Sequence, residues 1–416
     1  MRVVGDKSIS HRALILAALA DGVTEIEGLL QSADVLSTQA VLQAMGVQII
    51  TTGEYTSVTG RGSFENFTEP NGVLDAGNSG TTARLMAGLL AATPFFSVLS
   101  GDTSLRRRPM DRVTMPLRTM GATMDGREGG RFLPLAFRGR KLHGVTYELP
   151  IASAQVKSAL LLAGLSAQGE SRIVEPRPTR DHTERMMTAF GVEMSRDKER
   201  IALPGPQMLH TPGHLNIPGD FSAAAFFLTA AALVPDSEVT VEGVGINPGR
   251  IGLLEILSAM GGKWSVDRVR LSAGEPVGDV TVRYAPLRGV EVGPEQVPAA
   301  IDELPLFALL GASAHGISTL RGAEELRVKE SDRIRTTLTL LRSLGVEVTE
   351  LADGWAISGP QRIHGGCVET KGDHRIAMTA AIASLIGEGP VTIDDAASVD
   401  ISFPTFFAVL EMLYKA

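Results

Sequence analysis

The sequence predicts an α/β (α+β) protein of two domains, each made of three copies of one βαβαββ unit. Three observations carry that expectation. A chain of 416 residues is long for one core and divides naturally into two domains of about 200 residues. A polar phrase followed by an Ala/Leu-rich helical run recurs at residues 7, 78, 153, 220, 302 and 373, a spacing of 67 to 82. A Pro/Gly-rich zone, Leu203-Pro204-Gly205-Pro206 through Ile217-Pro218-Gly219, falls between the third and fourth copies and marks the crossover. The domains are therefore expected at 6–218 and at 1–5 plus 219–416.

Each copy reads the same way. Lys7 opens a helix after Gly5-Asp6, a strand follows at Val23-Thr24-Glu25-Ile26-Glu27-Gly28, and a second helix ends at Met45-Gly46-Val47. Copies two and three start at Asn78-Ser79-Gly80-Thr81 and Ser153-Ala154-Gln155 and reach Met120-Gly121 and Phe190-Gly191. Copies four and five start at Asp220-Phe221-Ser222 and Asp302-Glu303-Leu304 and reach Met260-Gly261 and Leu344-Gly345. Copy six starts at Asp373-His374-Arg375. Short Thr/Val/Glu segments such as Val47–Gly60 read as hairpins. The polar openings read as helix caps: Lys7/Ser8, Asn78/Ser79, Ser153, Asp220, Asp302 and Asp373. Helix starts carry unpaired N–H groups and the positive end of the dipole, so three pointing one way in each of two facing domains would line a cleft suited to anions.

Composition narrows the partners. The formal charge is −8, which argues against general nucleic-acid or membrane-surface binding, so any cationic site must be local. One cysteine, Cys367, excludes an intrachain disulfide and fits a reducing, cytoplasmic setting. It reads as a small buried residue beside a glycine pair. The longest apolar run, Phe221–Val234, falls short of the ~20 residues a bilayer span needs, and no leader precedes the first motif.

Cations cluster near the helix starts: Lys7, Arg12, Arg84, Arg106–Arg108, Lys157, Arg180, Lys329, Arg333 and Arg375. Any one alone is an ordinary solvated charge. At equivalent repeat positions in an acidic chain they favour phosphate and carboxylate binding through Arg forks and Lys. Lys329 and Arg333, spaced i, i+4, would share a helix face. Two acids suit proton transfer, Asp302 and Glu330; otherwise Asp302 is a plain cap and Glu330 a helix ion pair. Other matches fail. Gly5-Asp6-Lys7-Ser8 lacks the upstream glycine of a phosphate loop, and Gly243-Val244-Gly245-Ile246-Asn247-Pro248-Gly249 has the wrong dinucleotide spacing. His210-Thr211-Pro212-Gly213-His214 reads as a polar turn rather than a metal site.

Taken in order, several phrases resemble the 5-enolpyruvylshikimate-3-phosphate synthases, the 3-phosphoshikimate 1-carboxyvinyltransferase branch of the enolpyruvyl transferase family. They are Asp6-Lys7-Ser8-Ile9-Ser10-His11-Arg12, Gly77-Asn78-Ser79-Gly80-Thr81, Arg108-Pro109, Ser153-Ala154-Gln155, Asp302-Glu303, Arg327-Val328-Lys329-Glu330-Ser331-Asp332-Arg333 and Asp373-His374-Arg375-Ile376-Ala377-Met378. The resemblance implies a two-domain inside-out α/β barrel that closes over its substrates. It implies transfer of the enolpyruvyl group of phosphoenolpyruvate to the 5-hydroxyl of shikimate 3-phosphate, without cofactor or metal, by a cytoplasmic monomer. By matching positions, Lys7, Ser8, Arg12, Ser153, Ala154, Gln155, Arg180, Asp302 and Lys329 would bind shikimate 3-phosphate. Lys7, Asn78, Gly80, Arg108, Gln155, Arg333 and Arg375 would surround phosphoenolpyruvate. Asp302, Glu330 and Lys7 would carry the chemistry.

The chain departs from some relatives. Asp400-Ile401-Ser402-Phe403-Pro404 has no lysine before the Ser-Phe-Pro, and Ala154 and Glu325 stand where a serine or asparagine is found elsewhere. Only Met1–Val4 precede the first motif in place of a full strand. Two rivals are a sister transferase acting on UDP-N-acetylglucosamine and a non-catalytic repeat scaffold. The sister enzyme's loop cysteine is missing here, since Cys367 lies far from Arg106–Arg108.

Overall fold

A computed structural model describes residues 1–197 and 199–414. It divides into two compact units, one of residues 5–218 with 271–275 and one of residues 1–4, 219–270 and 276–416. These are called the N-terminal and C-terminal units below.

In the N-terminal unit, helices Lys7–Leu19, Gly80–Leu90 and Ala154–Gly164 are apolar nearly all round and lie inside. Every residue from Ile9 to Leu19 is buried. The second and third of these helices pack closely enough that a Cβ on Gly88 would sit 2.2 Å from the Ala159 carbonyl oxygen, so no larger residue fits there. Among the described residues three four-stranded sheets belong to this unit, and each combines one parallel pair with antiparallel ones. Strands such as Phe132–Arg138 alternate buried and exposed residues, which leaves one sheet face on the helices and the other in solvent.

The C-terminal unit repeats the plan with helices Phe221–Leu233, Leu304–Ser313 and His374–Ala383. Aromatics are only 5% of the chain, yet Phe226, Phe227, Phe403, Phe406 and Phe407 gather here. Phe227, Phe403 and Phe406 pack with ring centroids 5.6–5.9 Å apart, and Phe226 meets Phe406 at 5.8 Å. Residues Met1–Val4 belong to this unit through the Met1 amino group on the Thr240 carbonyl and the Asp220 N–H on the Val4 carbonyl. Cys367 is exposed rather than buried, on strand His364–Val368. Among the described residues no helix is long and apolar enough to cross a membrane.

The repeat has a visible physical basis. Second helices end at Gly46, Gly121, Gly191, Gly261 and Gly345, all with φ between 81° and 94°. A left-handed residue there closes the helix by returning N–H groups to the last carbonyls, which is cheap for glycine. The first helices start on side-chain caps: Asp6, Ser79, Ser153, Asp220 and Asp373 each accept a backbone N–H of the following turn. Two expectations need correction. Asp6 caps the first helix in place of Lys7/Ser8, because its carboxylate accepts the Ile9 N–H at 2.8 Å. Asp302 does not hold the cap position of the fifth inner helix, which starts at Leu304 with Glu303 before it.

Candidate functional site

Candidate residues gather at the N-terminal ends of the inner helices in each unit. In the N-terminal unit the Lys7 ammonium donates to Asp34 Oδ2 at 3.0 Å. Arg12, 5% exposed, donates from Nε to Thr183 Oγ1 at 2.7 Å, from NH2 to Ser158 Oγ at 2.8 Å and from NH1 to the Ser8 carbonyl at 2.9 Å. A guanidinium has five N–H donors, so these bonds fix its orientation without exhausting it. Burial lowers Arg12 to about 10, against the pull of Glu184, Asp6 and Glu275, and nearby Arg180 lowers it further.

A second cluster forms around Gly80. Asn78 donates to Asp102 Oδ2 at 2.6 Å and accepts from Arg108 NH2 at 2.6 Å. Arg84 NH1 donates to Gln155 Oε1 at 2.6 Å, and Gln155 Nε2 reaches Thr81 Oγ1 at 3.1 Å. A Cβ on Gly80 would lie 2.9 Å from Arg84 NH1 and 3.5 Å from Arg108 NH1. One helix start therefore faces two guanidiniums, an arrangement that favours an anion. Ser153 caps the neighbouring helix with Val156 N at 3.5 Å, and Ala154 is its first residue.

Beneath these groups runs a buried polar chain. His11 Nδ1 meets Thr38 Oγ1 at 2.7 Å, Thr38 meets Thr82 at 2.7 Å, and Thr82 donates to Ser79 at 2.8 Å. It ties helix Lys7–Leu19 and the start of helix Gly80–Leu90 to the middle of helix Ala33–Ala44. Burial, with Lys7 and Arg12 adding repulsion, holds His11 well below its usual range, so it is uncharged. The unfolded chain takes up a proton there near pH 6.5 and the folded one does not, so this part of the stability is full above that pH and drains as pH falls. Urea melts of His11→Asn against the parent should show the parent losing about 1 kcal/mol more between pH 6.5 and 5.5. Identical acid profiles would remove His11 from that account.

In the C-terminal unit Asp302 is met by three guanidiniums. Arg250 NH1 reaches Oδ2 at 3.2 Å, Arg333 NH1 reaches Oδ1 at 3.4 Å, and Arg375 Nε lies 3.6 Å from Oδ1. Arg375 NH1 also donates to the Asp302 carbonyl at 3.1 Å. Arg333 is 1% exposed and binds Asp373 Oδ2 at 2.8 Å and Glu330 Oε2 at 2.5 Å. Burial opposes the Arg333 charge, but Asp373, Glu330 and Asp302 outweigh it and hold the group above its ordinary value. Asp373 is held low despite burial, chiefly by Arg333. Lys329 lies 3.8 Å from Glu325, and burial pulls its ammonium down despite attraction to Glu325, Asp302 and Glu330.

Three readings of single residues change. Lys329 and Arg333 do not share a helix face, because a 3₁₀ turn ends at Val328 and the next helix begins at Arg333 under an Asp332 cap. Glu330, just before that helix, pairs with Arg333 from outside it. Lys157 is no anion ligand: its side chain is wholly buried, 3.0 Å from Glu175 and 2.8 Å from Glu184. Its helix rotates it inward, a fact that charge spacing cannot reveal. His210 and His214 turn to acids, Asp21 at 3.0 Å and Glu27 at 3.3 Å. Sequence reasoning also missed Asp34 and Arg250. Arg250 directly follows the Gly243–Gly249 stretch, whose spacing does not fit a dinucleotide fingerprint.

Comparison with known proteins places the chain in a family. The family model described as EPSP synthase (3-phosphoshikimate 1-carboxyvinyltransferase) matches residues 1–410. A Bacillus cereus protein named 3-phosphoshikimate 1-carboxyvinyltransferase is 48% identical over 413 residues, covering 99% of this chain and 96% of its own. A solved EPSP synthase from Acinetobacter baumannii superposes with a TM-score of 0.89 at 41% identity, covering 99% and 94% of the two chains. The enolpyruvyl transferase NikO from Streptomyces tendae shares the fold, with a TM-score of 0.80 at 20% identity over 99% and 94%.

Proposed function

The chain belongs to the EPSP synthase family, and from that premise we propose how its own residues perform the reaction. It is a transferase of the shikimate pathway to the aromatic amino acids, moving the enolpyruvyl group of phosphoenolpyruvate onto shikimate 3-phosphate. We assign shikimate 3-phosphate to Lys7, Ser8, Arg12, Ser153, Ala154, Gln155, Arg180, Asp302 and Lys329. Phosphoenolpyruvate is assigned to Lys7, Asn78, Gly80, Arg108, Gln155, Arg333 and Arg375. The observation that carries the assignment is Asp302 set among three guanidiniums, with Glu330 on one of them.

The charges balance. Two phosphates at about −1.5 to −2 each and two carboxylates need about five or six cations. Lys7, Arg12, Arg108, Lys329, Arg333 and Arg375 supply them. The Asp302 carboxylate takes the proton of the 5-hydroxyl as its oxygen attacks C2 of phosphoenolpyruvate. Glu330 delivers a proton to C3, giving a tetrahedral adduct, and Lys7 stabilises the charge between the two substrates. In the elimination Glu330 takes a proton back from C3, the C–H pair forms the new double bond, the C2–O bond to phosphate breaks, and phosphate leaves with that electron pair and the proton that Asp302 had taken.

Release of inorganic phosphate from the two substrates together tests the reading. No release with shikimate 3-phosphate, or release only with UDP-N-acetylglucosamine, would overturn it. The protein is further proposed to act as a cytoplasmic monomer, which light scattering checks. Gly80→Ala should raise the KM for phosphoenolpyruvate about tenfold and change that for shikimate 3-phosphate little, because the added methyl displaces Arg84 and crowds Arg108. An unaltered KM for phosphoenolpyruvate would place Gly80 outside its pocket.

A further inference from the structure

We propose that Arg250 is the positioning residue for Asp302: it keeps one carboxylate oxygen fixed while the other takes the substrate proton. The proposal rests on the general-base role given to Asp302 above. Three observations support it. First, Arg250 is 3% exposed, and its side chain is gripped on several sides. NH1 reaches Asp302 Oδ2 at 3.2 Å, and NH2 reaches Asp220 Oδ1 at 3.1 Å and Ser222 Oγ at 2.8 Å. Ser222 in turn hydrogen-bonds Glu303, the residue following Asp302. A guanidinium held this way has little freedom, so the oxygen it binds has little either.

Second, the backbone presents it deliberately. Asn247 Oδ1 accepts the Gly249 N–H at 2.9 Å and its carbonyl accepts the Arg250 N–H at 2.8 Å, forming a tight turn just before helix Gly252–Ala259. This turn fixes the backbone from which the Arg250 side chain projects.

Third, the cations around Asp302 divide by oxygen. Arg333 and Arg375 both approach Oδ1. These two are the proposed phosphoenolpyruvate ligands, so an arriving anion draws them away from Oδ1 and opens that oxygen to the 5-hydroxyl. Arg250 has no assigned substrate contact and stays on Oδ2. Binding of one substrate thereby frees the base, while Arg250 keeps it from rotating. The charged groups facing Asp302 are then Arg250 from the turn, Arg333 and Arg375 from their helices, and Lys329 ahead of the Arg333 helix. Asp220, Glu330 and Asp373 share these cations, and Glu303 accepts from Ser222 beside Arg250.

The test is steady-state kinetics of phosphate release across pH for Arg250→Gln and Arg250→Lys, with melting temperatures and calorimetric binding of shikimate 3-phosphate. Arg250→Gln should lower kcat about thirtyfold with both KM values within about threefold, since it removes an interaction to the base and not to substrate. Its acid limb in kcat should move up by about one pH unit, because loss of an adjacent cation makes a carboxylate more basic. Arg250→Lys should return the acid limb to its parental position and recover only part of kcat, the ammonium lacking a fork for three oxygens.

An Arg250→Gln protein with parental kcat and pH profile would overturn the proposal, as would a kcat loss with an unmoved acid limb. If Arg250→Gln does not fold, Arg250→Lys decides: parental kcat overturns the positioning role, and a reduced kcat with parental KM values supports it. A parent enzyme that releases no phosphate would refute the general reading, which is a separate result.

Discussion

Asp302→Asn is expected to lower kcat about a thousandfold and leave the KM for shikimate 3-phosphate within about threefold. The amide matches the carboxylate in shape but has no basicity, so the 5-hydroxyl keeps its proton as attack begins. Substrate grip depends mostly on other groups and should persist. Phosphoenolpyruvate should bind more tightly, because Arg333 and Arg375 no longer share their charge with an internal acid at Oδ1. Rapid-quench assays with calorimetric binding of each substrate would show both effects. A kcat within tenfold of the parent would remove Asp302 from proton transfer. Fold loss is a separate matter, and a parental melting temperature excludes it.

Lys157→Met should act on stability and not on binding. The ammonium is wholly buried, with Glu175 also at 0% side-chain exposure and Glu184 at 6%. Removing it strands two carboxylates away from water, which costs about 3–5 kcal/mol. In a unit of this size that lowers the melting temperature by about 10 °C. Adding Glu175→Gln should recover part of the loss, since one stranded charge is then gone. At a temperature where the variant is folded, both KM values should match the parent. A tenfold rise in the KM for shikimate 3-phosphate with unchanged melting would instead make Lys157 a ligand.

Lys157 also shows how cations that the sequence groups together differ in the fold. Arg375 and Lys157 both follow a helix-starting residue closely in the chain, and both read as candidate phosphate ligands. Arg375 lies two residues past the Asp373 cap, which accepts its N–H, and its guanidinium reaches Asp302. Lys157 lies four residues past the Ser153 cap, two positions further in, where its side chain enters the core against Glu175 and Glu184. Two residues along a helix are a change of about 200° in direction, and that separates the proposed phosphoenolpyruvate ligand Arg375 from the buried Lys157.

By itself the sequence determined the repeat, the six inner helices and the families of residues at their starts. Caps, glycines after helices and apolar runs act over a few residues, and such short-range rules are written directly in residue order. Only the tertiary structure decided which of those charges meet. It took Asp302 off its supposed cap and set it among Arg250, Arg333 and Arg375, and it joined Asn247-Pro248-Gly249-Arg250 to residues 30 and 52 positions away. Pairings of that kind depend on how elements pack in space, and the direction of a side chain across such a distance has no counterpart in local pattern.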